Sequence, residues 1–104
     1  MDWYDSDIME DTEVISRDKL NKPSMFKVLL HNDDYTTMDF VVYVLENVFH
    51  KSIDDAYNIM MKVHKEGIGL CGIYTAEIAE TKVTSVHQMA KQKGFPLKCS
   101  MEEE

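Results

Sequence analysis

His31-Asn32-Asp33-Asp34-Tyr35-Thr36 is a run of turn-forming polar residues set between two apolar stretches of different period. Before it, Met25 to Leu30 reads as a strand, with Phe26, Val28 and Leu30 on one face and Lys27 and His31 on the other. After it, Phe40, Val41, Val44, Leu45, Val48 and Phe49 recur at helical spacing. Asn and Asp bond to their own backbone and tolerate unusual dihedrals, so the chain is expected to turn sharply here while one amide and two carboxylates stay near the surface. Successive residues of an extended chain face opposite ways, so Asp33 and Asp34 are expected to diverge, with at most one meeting a given ligand. Thr36, three residues before Asp39, has capping-box spacing and is expected to open the first helix.

Outward from that stretch the same logic continues. Ser52, three before Asp55, opens a second helix with the stripe Ala56, Ile59, Met60 and Val63, and Gly67 stops it. Phe49-His50-Lys51 leaves room only for a short turn, so the two helices should form an antiparallel hairpin. Leu70 to Tyr74 reads as a second strand, and Thr75 caps a third helix with the stripe Ala76, Ala79, Val83, Val86 and Ala90, ended by Gly94. In the last strand Leu97, Cys99 and Met101 alternate with Lys98 and Ser100. The expected class is α+β, a small three-stranded antiparallel sheet packed against three helices in the order β-α-α-β-α-β.

Composition narrows the function. The chain has 104 residues and a net charge of −8, enough length for one self-sufficient core. Residues 1–22 carry seven acids against Arg17, Lys19 and Lys22 and show no sustained period, with apolar residues only in pairs such as Trp3-Tyr4 and Ile8-Met9. They read as an acidic, disordered extension ahead of a domain at 23–104, with Pro23 at the boundary. Without a basic stripe the domain is a poor match to nucleic acid, whose affinity comes largely from phosphate neutralisation. The N-terminus lacks the basic and apolar regions of a signal peptide, and the run Phe40 to Leu45 is too short to cross a bilayer. Cys71 and Cys99 sit in apolar runs and are expected to be buried, reduced thiols of a cytoplasmic protein.

The hairpin returns the second helix to the opening stretch. His64, near the C-terminal end of that helix, comes level with the start of the first, so Asn32, Asp33 and His64 are expected to form a polar rim above Met38, Val41, Met60 and Val63. An apolar pocket with a few convergent polar groups is a binding-site arrangement. A plain core with a surface histidine accounts for the same pattern equally well. A small hydrolase using His64 with Asp33 or Cys71 is the competing chemistry; Cys71 lies inside a strand pattern with no helix N-terminus after it to lower its pKa. His31, Asp33 and His64 have none of the spacings of a metal site, and no metal or cofactor is expected.

The residues resemble a known family. Pro23-Ser24-Met25-Phe26-Lys27-Val28-Leu29-Leu30, then Asn32-Asp33-Asp34-Tyr35-Thr36 and Met38, is similar to the opening of ClpS, the adaptor of the Clp ATPase and protease for N-end-rule substrates. Met60 and Val63-His64, the strand around Cys71-Gly72, and Thr75-Ala76-Glu77-Ile78-Ala79-Glu80-Thr81-Lys82 continue the likeness through residue 101. The resemblance implies a non-enzymatic, monomeric adaptor with neither nucleic-acid nor membrane partners. It implies that Asn32, Asp33 and His64 hold a substrate's free N-terminal amine, and that Thr36, Met38, Val41, Met60, Val63 and Leu97 enclose a first side chain such as Leu, Phe, Tyr or Trp. It further implies that Glu77, Glu80 and Lys82 dock on the N-terminal domain of a Clp AAA+ ATPase of the ClpA or ClpC type. Two positions depart from the pattern: Thr37 stands where proline is frequent, which should loosen the loop, and His31 stands where an aliphatic residue is common, which should bring a titratable group near Asp33.

Overall fold

Hydrogen bonding on both sides of one apolar strand organises residues 23–104, the part that the computed structural model describes. The expectation of a disordered acidic extension falls on residues 1–22, outside the described part. Strand β1 (Met25–His31) lies between β2 (Ile68–Thr75) and β3 (Lys98–Glu103), antiparallel to both. As the central strand it pairs Leu30 with Gly69 on one side and Cys99 on the other, and Val28 with Gly72 and Met101. Val28 and Leu30 are fully buried in the main core. Leu29 is also buried but stands apart from that core, on the opposite face between Leu70 and Ser100. The register of β1 with β2 shifts between Val28 and Leu29, leaving Cys71 as the extra residue of a bulge.

Helices α1 (Met38–Asn47), α2 (Ile53–Glu66) and α3 (Ala76–Lys93) supply the other side of the core through Val44, Leu45, Ala56, Met60, Ala79 and Val86. The architecture is α+β in the order β-α-α-β-α-β. Most helix ends have a local cause, although Thr75, the N-cap residue of α3, makes no side-chain capping hydrogen bond. The Ser52 hydroxyl accepts from the Asp55 N–H at 3.2 Å to start α2, and Gly67 and Gly94 end α2 and α3 in the left-handed region at φ 90° and 79°. The hairpin turn is closed by Lys51 N–H donating to the Leu45 carbonyl at 3.1 Å, with His50 at φ 56°. The start of α1 departs from expectation. Thr37, not Thr36, is the N-cap, its hydroxyl accepting from the Phe40 N–H at 3.1 Å. Thr36 lies one residue before the cap, and its hydroxyl donates to Asp33 instead. No described helix is long and apolar enough to cross a membrane.

Candidate functional site

The left-handed turn at Gly67 ties the site together. Its N–H donates to the Val63 carbonyl at 2.9 Å, and its own carbonyl accepts from the Asn32 N–H at 2.9 Å. The loop leaving β1 is thereby fastened to the end of α2, so that Asn32 and His64 border one cavity of about 250 Å³. Asp33, Asp34, Thr36, Met38, Val41, Met60 and Val63 complete its lining. Val41, Met60 and Val63 are buried, whereas Met38 is 42% exposed at the mouth. An engineered cavity of about 150 Å³ accepts benzene, so the space suffices for a large apolar side chain.

Asp33 is held before any ligand arrives. One carboxylate oxygen accepts from the N–H groups of Tyr35 (2.8 Å) and Thr36 (2.7 Å), and the other from the Thr36 hydroxyl (2.7 Å). Partial burial works to raise its pKa, but these three hydrogen bonds together outweigh it and hold the carboxyl below its ordinary range. The second oxygen keeps lone-pair capacity for a further donor. Contrary to the expected divergence, Asp34 borders the same cavity. The alternation rule belongs to extended chain, and residues 34–36 are bent rather than extended.

Two other expectations need correction. Leu97 does not line the cavity; it is 3% exposed within the main core, on the inward-facing register it shares with Cys99. The His31 ring bonds the Ser100 hydroxyl on the neighbouring strand at 2.6 Å, and His31 does not border the cavity. Burial, with help from Lys98 and against the pull of Glu102, lowers its pKa. At Thr37 the expected loosening is offset by the cap, which a proline side chain could not make. Sequence reading also missed Gly69. A Cβ there would lie 2.6 Å from a Val63 methyl and 3.3 Å from the Ile59 carbonyl, so only glycine lets β2 pass this close to the cavity wall. The Gly67-Ile68-Gly69 punctuation was the available signal.

Hydrolase chemistry is poorly served. Cys71 is 1% exposed, and burial drives its thiol pKa far above the usual range; burial likewise pushes the Cys99 thiol up to about 12. Both are free. They sit on the two outer strands with β1 between, roughly 9 to 10 Å apart by sheet spacing and beyond disulfide reach.

A second concave surface of about 570 Å³ lies along α3, lined by Glu77, Ile78, Thr81, Lys82, Ser85 and Met89 together with Val48. Glu80 borders the adjoining surface with Thr81 and Ser85. Glu77 and Glu80 are exposed. Lys82 is not a free cation: its ammonium donates to the Val48 carbonyl at 2.7 Å and stands 5.4 Å from the Tyr74 ring centroid.

Residues 21–100 match the family model described as ATP-dependent Clp protease adaptor protein ClpS. The chain belongs to the ClpS family. Among its relatives, the ClpS of Oleidesulfovibrio alaskensis is 60% identical over 94 residues, 90% of each chain. That of Desulfatibacillum aliphaticivorans is 64% identical over 86 residues, 83% of each. The solved structure of Agrobacterium tumefaciens ClpS2 bound to L-phenylalaninamide superposes with a TM-score of 0.77 at 40% identity, over 80% of this chain and 100% of that one. As a ClpS-family member the chain is an adaptor of a Clp protease, and its partners are the protease's ATPase and substrate proteins.

Proposed function

We propose that this cavity captures the free N-terminus of a substrate protein and that the α3 face carries the captured substrate to a Clp AAA+ ATPase of the ClpA or ClpC type. The observation that carries the reading is the convergence of Asn32, Asp33 and His64 on the rim of an apolar cavity of about 250 Å³. A free α-amino group is cationic below a pH of about 8 and offers three donors in one tight cluster. Asp33 accepts as the charged partner, Asn32 through its side-chain oxygen, and His64 through a neutral ring nitrogen. The first side chain, Leu, Phe, Tyr or Trp, enters between Met38, Val41, Met60 and Val63, with Thr36 at the edge. The phenylalaninamide bound by the Agrobacterium protein, a free amine beside an aromatic side chain, supports the pairing. No covalent step is involved, which agrees with the raised pKa of the buried Cys71 thiol.

Residues 23–104 form the binding module and residues 1–22 the segment needed for delivery. Glu77, Glu80 and Lys82 contact the ATPase's N-terminal domain. The adaptor works as a monomer in the cytoplasm, where its free cysteines stay reduced. Fluorescence anisotropy with peptides that begin with Leu, Phe, Tyr or Trp, each beside an acetylated copy, tests the capture step. Free-amine peptides should bind and be recovered intact, and acetylation should cost at least about tenfold, since it removes the charge and two donors. Equal binding of the acetylated copies, or cleavage of the peptides, overturns it.

A further inference from the structure

A second groove continues from the mouth of the cavity. Met38 and Met60 line both, and from them the groove follows the outer seam of the helix hairpin between Tyr43 and Glu46 on α1 and Ile53 and Tyr57 on α2. Its volume is about 520 Å³. The seam is unusually apolar for an exposed surface: Tyr43, Ile53 and Tyr57 are 49%, 67% and 54% exposed. Asp39 and Glu46 on the α1 side make it acidic as well. From Met38 to Glu46 is eight residues of helix, roughly 12 Å, which matches three to four residues of extended peptide. We propose that this seam receives the substrate residues that follow the first, and that it selects a basic side chain there. An Arg or Lys has an apolar stem to lie on the seam, a cation for the tyrosine rings, and a charge complementary to Asp39 and Glu46. Gly residues gain none of these contacts and acidic ones are repelled.

The inference rests on capture of the N-terminus in the adjoining cavity, and peptide design separates the two. The full chain is titrated with peptides having a free N-terminal Leu followed by glycines, by glycines with one Arg at position two, three or four, and by glycines with Glu at the same positions. At low salt, Arg at one of these positions should tighten binding roughly threefold to tenfold over glycine, and Glu should weaken it. In the double variant Glu46→Gln, Tyr57→Ala the Arg advantage should fall below about twofold, while the all-glycine peptide binds as it does to the unaltered chain. An Arg advantage that survives in the double variant but vanishes in Asp34→Asn places the selection at the cavity rim and overturns the proposal. So does a double variant, folded by circular dichroism, that weakens every peptide alike. If instead acetylated and free Leu peptides bind equally, capture in the cavity is what has failed, and an Arg advantage lost in the double variant then still identifies the seam as the peptide site.

Discussion

Asp33 accepts from the Tyr35 N–H, the Thr36 N–H and the Thr36 hydroxyl, and it is also the proposed partner of the substrate's ammonium. Substitution separates the two roles. Asp33→Asn keeps a side-chain oxygen for the two N–H donors but loses the charge, so peptide affinity should fall by about 2 kcal/mol or more while the fold changes by less than about 1 kcal/mol. Asp33→Ala removes the brace as well and should cost about a further 1 kcal/mol of stability, as loss of a helix cap does. An Asn variant with undiminished affinity would leave Asp33 as a loop brace alone. The pH dependence has a definite sign. The folded pKa lies below the unfolded one, so the unfolded state takes up the proton first as pH falls. The stabilisation is fully present above the ordinary value near about 4 and is lost as pH falls through the lower folded value. Urea midpoints of wild type and Asp33→Asn should therefore converge on acidification below about pH 4.

Two contacts between elements set how firmly the cavity is framed. Gly69→Ala would push a methyl into the Val63 side chain, which is 2% exposed and stiff at χ1, so we expect a loss of about 1 to 3 kcal/mol in chemical denaturation and weaker peptide binding with it. Wild-type values on both would mean that β2 and α2 are not held this close in solution. Lys82 closes α1 by donating to Val48, the residue that caps it. Lys82→Ala should therefore lower stability by about 1 kcal/mol or somewhat more, whereas Glu77→Lys and Glu80→Lys, on exposed sites, should stay within about 0.5 kcal/mol. All three should weaken ATPase binding, and only the glutamates report docking free of a folding effect. The same scale shows what the sequence could reveal. Ser52, Gly67 and Gly94 were legible because a cap is decided within one turn of chain, and with them came the hairpin that carries His64 back to Asn32. The start of α1 was misplaced by one residue because two adjacent threonines can each cap, and spacing does not encode which of them accepts from the helix and which turns to Asp33. The bulge at Cys71 and the distance of Leu97 from the cavity are relations between elements that no local pattern contains, and Gly67-Ile68-Gly69 marks a turn without showing how close β2 passes to α2.

Across the whole domain the two candidate surfaces share no lining residue. Met38 at the first turn of α1 borders the cavity, and Val48 just past its last turn borders the α3 surface, so about 15 Å of helix separates them. Coupling between sites needs an element with two arrangements that both ligands bias. The helix between them is capped at both ends, by Thr37 and by the Lys82 bond to Val48, and Val44 and Leu45 at its middle are fully buried. We expect it to keep this arrangement when either partner binds. Peptide and ATPase should then bind independently: a saturating N-terminal Leu peptide should change the affinity for the ATPase's N-terminal domain by less than about twofold, and linkage requires the reverse effect to be equally small. With the two surfaces independent, the proposed reading assigns delivery to residues 1–22 rather than to a signal relayed through the domain. Removing them should leave the affinities of both surfaces unchanged and abolish stimulated degradation of an N-terminal Leu reporter by the ATPase and its protease. A truncated chain that still stimulates degradation, or a peptide that shifts ATPase affinity by tenfold, would put the delivery signal back inside the folded domain.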